Sequence, residues 1–600
     1  MEGQRKIPFK VALVSTPWSI VNRPSLQLAT LKSYVEQRSS HRVACLHPYL
    51  HLAKAIGFDT YARIARSGWA GEALFAPLLF PEMRPRAKQL FRRSLPKNDA
   101  DGHRFDELVE MVEQSMAQWL ATIEPDEYDL LGFSVCFFQL LPSLYLAAKI
   151  KETHRHLPIV FGGSSCSGKV GTSLFHTFQQ IDYLVLGEGE RGLLHLCTSL
   201  AEPFQNSLPD TILCRHSCRQ TDAIPPEPTL DDLPFPDFSD YFHEVQKLFG
   251  RQHFIPVLVI EFSRGCWWNR CSFCNLNLQW HNYRFKSGDR MLQEVLHLSK
   301  THSCLSFAFA DNALPMKEAD HFFNMTGASG IDFDFFAETR NISDEGRLQC
   351  YHRGGLNKIQ VGIEALSNSL LTRMAKGSTV IDNIAAMRMA VNCGLHLEAN
   401  LITEFPATSP EEIAETLSNL DFVLPFAPLQ AAPFFLGFNS PVYLNAKDFS
   451  IKGLLPHPKN SQLFPARILQ ELTTIICGYR GDRLRQRQLW KPVVEKLRIW
   501  QNFHRQRKDT TTAPLHYRDG GTFLIISQEQ VDGPKLMHRL KGLSRQIYLF
   551  CCTPQRTAAV LTAFPKVSGP VLENFLTEMV GKRLMFREGE HVLSLAVRKG

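Results

Sequence analysis

No uninterrupted apolar stretch in the 600-residue chain approaches the roughly twenty residues a helix needs to cross a bilayer, so membrane insertion is not expected. No secretory signal stands at the start: MEGQRKIPFK is polar, and the apolar VALV run is short and soon meets Pro17. The expectation is a cytoplasmic protein in a reducing compartment. A large charge excess is also missing. The net charge of +7 is small for this length and does not point to nucleic acid, although local basic runs still need reading. The 15 cysteines are scattered and build no disulfide framework. What is present, 44% hydrophobic and 21% charged residues, is the balance of a globular protein long enough for several domains.

One group of cysteines is not scattered. In Glu261 to Leu278, EFSRGCWWNRCSFCNLNL, Cys266, Cys271 and Cys274 form a C-x4-C-x2-C triplet just after an apolar, strand-like run. Three thiolates this close can wrap one soft metal centre, and on a cubic four-iron cluster they leave the fourth iron without a protein ligand. Structural zinc is an alternative, since Cys271 and Cys274 make a C-x2-C knuckle. A closed zinc site needs a second ligand pair, and the nearest, Cys214 with Cys218, lies far upstream in a linker-like stretch. Incidental cysteines are a further alternative. Phe273, Trp267 and Trp268 would surround a cluster with aromatic surface, or serve as ordinary core.

The triplet, with an aromatic residue before its last cysteine, resembles the cluster loop of the radical SAM (S-adenosylmethionine) superfamily, with one residue more than the usual C-x3-C-x2-C. The context RGCWWNRCSFCNLN, followed by YRFKS from Tyr283 to Ser287, is similar to a narrower group, the cobalamin-dependent radical SAM C-methyltransferases that mature ribosomal peptides (RiPPs), in which such stretching occurs. The resemblance runs over nearly the whole chain. It implies a 4Fe-4S cluster on Cys266, Cys271 and Cys274, with S-adenosyl-L-methionine and cobalamin as further cofactors. It also implies a precursor peptide as substrate and an external electron donor such as flavodoxin or ferredoxin. The implied reaction is cleavage of S-adenosylmethionine to a 5′-deoxyadenosyl radical, hydrogen abstraction from an unactivated carbon, and methyl transfer by way of cobalamin. The common cobalamin fingerprint D-x-H-x-x-G is absent, so no histidine is nominated as a lower ligand of the metal.

The periodicities place these cofactors on an α/β fold. Strand-like runs at 10–15, 128–136, 158–161 and 181–186 alternate with helical patterns from Ser25 and Ser143, which favours a parallel, Rossmann-like sheet in residues 1–222. The interval from His47 to Pro125 interrupts the pattern as a mainly helical insertion. Ligands of open α/β sheets sit at the carboxyl ends of the strands, where small residues let a flat cofactor approach the backbone. The candidates there are Trp18, Ser134, Gly162, Gly163, Gly187 and Glu188, for cobalamin by the resemblance; a structural or nucleotide-binding sheet is the alternative. Proline-rich 223–250 reads as a linker. Residues 251–478 repeat strand and helix, with strands at 257–262, 305–310, 333–337, 358–361, 397–401 and 429–435, as a partial (β/α) barrel whose site lies at the strand ends. Asp311, Arg340, Gly362 and Glu364 end such strands, and with Phe273 they are the candidates for holding S-adenosylmethionine: carboxylates for its amine and hydroxyls, a guanidinium for its carboxylate. GIEA and the following MAKG, Met374 to Gly377, resemble the family's fourth-strand segment. A rim ion pair between Arg340 and a neighbouring acid is the structural alternative.

Residues 479–513 are a basic helical connector, read as a solvated amphipathic helix, with an acidic peptide or single-stranded nucleic acid as alternatives for its arginines and tryptophans. Asp519-Gly520 and Glu588-Gly589 mark hairpins around two helical patterns, a small winged-helix-like α+β domain over 514–600 suited to a peptide or to a lid. The functional expectation is C-methylation of a precursor peptide. Its rivals are radical SAM work on a small metabolite or without methylation, and a binding protein with a degenerate cluster site.

Overall fold

The structure, a computed structural model, describes residues 8–96, 103–202, 207–215, 219–221, 226–227, 229–250, 254–276, 280 and 282–599. Cys218, residues 277–279 of the cysteine stretch and residues 223–225 and 228 of the expected linker lie outside the described residues. The chain divides into two compact units, Met1–Gly265 with Asn275–Ala308 and Leu455–Gly478, and Cys266–Cys274 with Phe309–Leu454 and Tyr479–Gly600. This differs from a division into consecutive segments: 275–308 and 455–478, both expected in the barrel region, group with the first unit.

The first unit is built on a six-stranded sheet in the order Arg42–Leu46, Lys10–Val14, Leu130–Ser134, Ile159–Gly162, Tyr183–Val185, Ile212–Cys214, parallel except for its last strand. Numbered along the chain, the five parallel strands run 2-1-3-4-5, a doubly wound order whose topological switch lies between Lys10–Val14 and Leu130–Ser134. The inner strands are apolar on both faces because helices cover both, as a parallel sheet requires. Arg42–Leu46 has no counterpart among the expected strands. It is an edge strand with a burial pattern of exposed, buried, intermediate, so its five residues carry only a half-apolar signal. The interval 47–125 holds the helices Pro48–Ile56, Phe58–Ser67, Trp69–Leu79, Arg84–Ser94 and Phe105–Leu120, whose buried faces join the core beneath the sheet.

The expected linker is corrected in part. Proline ends at Pro236, and Ser239–Phe249 is then a helix, with Tyr241 Oη donating to Val21 O at 2.8 Å and Lys32 pairing with Asp240 at 2.7 Å. Leu230, Leu233 and Phe238 are buried, so this stretch is packed rather than a free tether.

From 258 to 433 strands alternate with helices in the chain order of a partial (β/α) barrel: Leu258–Ile260, Ser306–Phe309, Asp334–Thr339, Leu356–Val361, His396–Glu398 with Asn400–Thr403, and Gln430–Pro433. Within the second unit Asp334–Thr339, Leu356–Val361 and His396–Glu398 pair in parallel, and Asn400–Thr403 pairs with Gln430–Pro433. The expected fifth strand is thus broken at Ala399, and its second half is tied to the fourth by a bridge between Glu364 and Leu401.

The basic connector is one helix, Arg483–Gln506. Its Trp490 and Trp500 are buried, and Trp500 Nε1 donates to Leu424 O and Phe426 O at 3.1 Å. The tryptophans therefore belong to the core and offer no stacking surface to a ligand, while the basic residues form a solvated face. Beyond it, Leu515–Asp519, Phe523–Gln528 and Leu536–Lys541 make an antiparallel meander that Val597–Arg598 joins. Helix Gly542–Phe550, strand Gln555–Arg556, helices Thr557–Ala563 and Gly569–Gly581 and the hairpin of Met585–Glu588 with His591–Ser594 follow in winged-helix order. Among the described residues no helix is long and apolar enough to cross a membrane.

Candidate active site

Glycine shapes the cofactor face of the first unit. The ends of Leu130–Ser134, Ile159–Gly162 and Tyr183–Val185 line a pocket with an empty volume of about 420 Å³ that brings together Ser134, Gly162, Gly163 and Gly187 with Gly132 and Gly189. A Cβ at Gly162 would meet nothing closer than Val185 O at 3.8 Å, so its missing side chain leaves open wall. Gly132 is different: a Cβ there would come within 2.7 Å of Leu13 Cδ2, and a side chain would collapse the pocket's floor. Backbone and small residues on a strand-end cleft leave room for a mostly uncharged ligand to approach the sheet.

Two of the candidates do not face this pocket. Trp18 is buried, 6% exposed, with its ring 5.1 Å from that of Tyr61 and 6.3 Å from that of Phe75. Glu188 sits in an ion-pair cluster. Its carboxylate accepts from Arg264 Nη1 at 2.6 Å and from Arg284, while Arg264 also reaches Glu190 at 2.6 Å and Glu261 at 2.9 Å. Burial alone would lower the pKa of the Arg264 guanidinium, but three carboxylates hold it well above the usual arginine range. Arg264, which sequence reasoning missed, stands two residues before Cys266 in RGC and fixes the chain where the cysteine loop begins.

In the second unit the cysteine loop is strapped to the segment Met374–Gly377. Ser272 donates to Met374 O from its backbone and to Arg373 O from its hydroxyl, both at 2.9 Å, and Trp268 Nε1 donates to Ala375 O at 2.9 Å. Ala375 and Gly377 both lie at positive φ, 51° and 69°, and the four successive carbonyls of Arg373, Met374, Ala375 and Lys376 accept from the loop and from Arg340. A Cβ at Gly377 would sit 2.4 Å from the Trp268 ring, so glycine is required there.

Arg340 is 9% exposed, its guanidinium 3.8 Å from the Trp268 ring centroid and 5.4 Å from that of Trp267, and it donates to Lys376 O. The rim ion pair considered for Arg340 is not found among the described residues; its Nε is buried without a partner. Burial lowers its pKa, and the thiols of Cys271 and Cys266 oppose that, which puts the cation within reach of both. Burial likewise pushes the Cys271 thiol up to about 11 against the pull of Lys376, with Cys274, Glu364 and Cys266 adding to the rise. The three thiols thus share one neighbourhood with two cations. Among the described residues no three Cys, His, Asp or Glu side chains close into a cage for a single ion.

Lys376 is the second residue missed. It is 5% exposed, its Nζ lies 3.3 Å from Glu364 Oε1, and a Cβ at Gly362 would come within 2.3 Å of it. Glycine at 362 is what lets the ammonium cross the strand end. Glu364 sits at φ 62°, strained for a non-glycine residue, and burial raises its carboxyl against the opposing Lys376. Glu338 is raised by burial and then by the charges of Glu364 and Glu398, so two carboxyls face each other here. Asp311 is buried at the end of its strand, and Phe273 is half-buried between Cys271 and Cys274.

The chain thus combines a doubly wound sheet carrying a glycine-lined cleft, strands and helices in (β/α) order with a three-cysteine loop, and a winged-helix-like end. Residues 260–420 match the model of the radical SAM superfamily. The fold is similar to that of TsrM, a radical S-adenosylmethionine methyltransferase from Kitasatospora setae solved with cobalamin and a [4Fe-4S] cluster, with a TM-score of 0.54 and 15% identity over 83% of this chain and 92% of that one. Among curated proteins, the anaerobic magnesium-protoporphyrin IX monomethyl ester cyclase of Synechocystis sp. is 25% identical over 45% of this chain and 54% of its own length. The hopanoid C-3 methylase of Methylococcus capsulatus is 24% identical over 54% of this chain and 62% of its own. The chain thus spans little more than half the length of these curated relatives.

Proposed function

We propose that the protein is a cobalamin-dependent radical SAM methyltransferase acting on a carbon of a small metabolite. The observation that carries this reading is the cysteine loop held against Met374–Gly377, with Arg340, Lys376 and Glu364 gathered beside its thiols. In this reading Cys266, Cys271 and Cys274 hold a 4Fe-4S cluster, whose irons spread the three ligands further apart than one ion would. When bound, the cluster supplies an electron for cleaving S-adenosylmethionine, and cobalamin in the glycine-lined pocket supplies a methyl carrier.

The chain's own residues do the rest. Arg340 and Lys376 offset the negative charge of three thiolates in a buried setting, where an unpaired charge is costly. Glu364 and Glu338 offer acceptors for the amine and ribose hydroxyls of S-adenosylmethionine, and the unpartnered Arg340 Nε is a donor free for its carboxylate. The strap from 374 to 377 keeps these groups from moving when charge changes at the loop. An outside one-electron donor of the flavodoxin or ferredoxin class completes the requirement.

The names of the curated relatives carry small molecules, a magnesium-protoporphyrin ester and a hopanoid, and this favours a metabolite over a ribosomally made peptide. The test is anaerobic protein with cobalamin, reductant and methyl-labelled S-adenosylmethionine, given the metabolite fraction and, separately, the peptide fraction of a cell extract. Label entering a small molecule is expected. Label entering a peptide would overturn the substrate class, and radical cleavage with no label transferred would overturn methyl transfer.

A further inference from the structure

A second cavity in the first unit is distinct from the glycine-lined pocket. It has an empty volume of about 600 Å³, open to solvent, and no residue lines both. Its walls are apolar: Phe138 and Leu140 after the third strand, Val170 and Leu174 from helix Gly168–Thr177, and Leu463 and Phe464 from the returning segment 455–478. Leu174 and Leu463 are 1% exposed and Phe464 3%, so these walls belong to the well-packed core. The hollow is therefore built by the fold rather than left by loose loops.

Trp69 lines the same cavity and is framed by charge. His457 stacks on it with centroids 5.3 Å apart, and the Lys459 ammonium lies 5.2 Å from its ring. Lys459 is half-buried and has no carboxylate paired with it among the described residues. Burial accordingly lowers its pKa with no acid opposing the shift. A cation withdrawn from water in this way calls for an anion. The carboxyl at the cavity, Glu72, does not serve: both of its oxygens accept backbone N–H groups, from Leu140 at 2.9 Å and Leu141 at 3.0 Å.

We infer that this cavity is a second small-molecule site, separate from the glycine-lined pocket, for an amphiphilic anion whose apolar body fills the hollow and whose carboxylate or phosphate head reaches past Trp69 to Lys459, which neighbours that ring and is not itself a wall residue. Binding is non-covalent, by burial of hydrocarbon and a charge-assisted hydrogen bond at a partly desolvated ammonium. Because the walls belong to the sheet's own helices and to segment 455–478, a bound ligand would stiffen that returning segment.

The experiment is calorimetric titration of the full chain, loaded with hydroxocobalamin, with decanoate, decyl phosphate and decanol. One site per chain is expected, with decanoate or decyl phosphate bound at least tenfold tighter than decanol; which of the two is tighter identifies the head group. Lys459→Met should remove that preference while keeping decanol binding. Leu174→Trp should abolish all three, with Leu174→Met, which keeps the volume, retaining them and far-ultraviolet circular dichroism certifying each fold. Decanol binding as tightly as decanoate, unchanged binding by Leu174→Trp, or binding only in cobalamin-free protein would overturn the inference, the last by assigning the cavity to the cofactor.

Discussion

At the scale of single residues, Glu72 shows how far burial reaches. Its carboxyl is enclosed at 4% exposure, and burial raises its pKa from 4.5 to about 7 although the N–H groups of Leu141 and Leu140 pull the other way. A carboxyl raised in the folded state stabilises the fold fully below its unfolded pKa, and that stability is lost as pH rises through the folded value. The contribution falls between pH 4.5 and about 7, by on the order of 3 kcal/mol for a shift of this size. Glu72→Gln should therefore flatten the decline of the urea midpoint between pH 5 and pH 8. An identical decline in both proteins would show that Glu72 is not the source. Among the candidate site residues, Cys266, Cys271, Cys274, Arg340, Gly362 and Glu364 could be nominated from sequence because thiols at close spacing and charges at strand ends leave a local mark. Lys376 was not. Its role depends on positive φ at Ala375 and Gly377, which turns a helix-end lysine inward, and nothing in MAKG alone separates that from an exposed lysine. Trp18 shows the converse: a tryptophan in a strand-end loop has the same sequence signature whether it meets a ligand or packs, as it does here, on Tyr61.

At the scale of elements, the strand ends carry the cofactor argument. Gly162 has a negative φ and open space ahead of its absent Cβ, so leucine at this position would fold normally and project into the pocket. Gly162→Leu should lower cobalamin affinity at least tenfold, read by absorbance titration, with circular dichroism unchanged; retention at wild-type affinity would remove the pocket from the account. Most strands were legible from apolar runs bounded by turn residues. Arg42–Leu46 was not, because an edge strand pairing on one side needs apolar residues at alternate positions only. Helix Ser239–Phe249 hid behind the prolines before it. Tertiary packing of Tyr241 and Val245, both buried, then decided its fate where composition suggested a tether.

At the scale of the molecule, the order of modules was readable from alternating periodicities, but the grouping of segments was not. Residues 275–308 and 455–478 join the first unit through contacts distant in sequence, such as Ser173 Oγ with Thr473 N at 2.9 Å, and no local pattern announces them. Activity is where the whole chain is tested, since the account requires one loop to hold a cluster and the residues around it to hold S-adenosylmethionine. The most direct measurement is 5′-deoxyadenosine formed by anaerobically reconstituted protein, wild type against the Cys266→Ala, Cys271→Ala, Cys274→Ala triple variant, with iron and sulfide determined on the same samples. About four irons per chain and 5′-deoxyadenosine are expected from the wild type, and neither from the variant. A wild type that binds no iron, or a variant that forms 5′-deoxyadenosine as fast as the wild type, would contradict this.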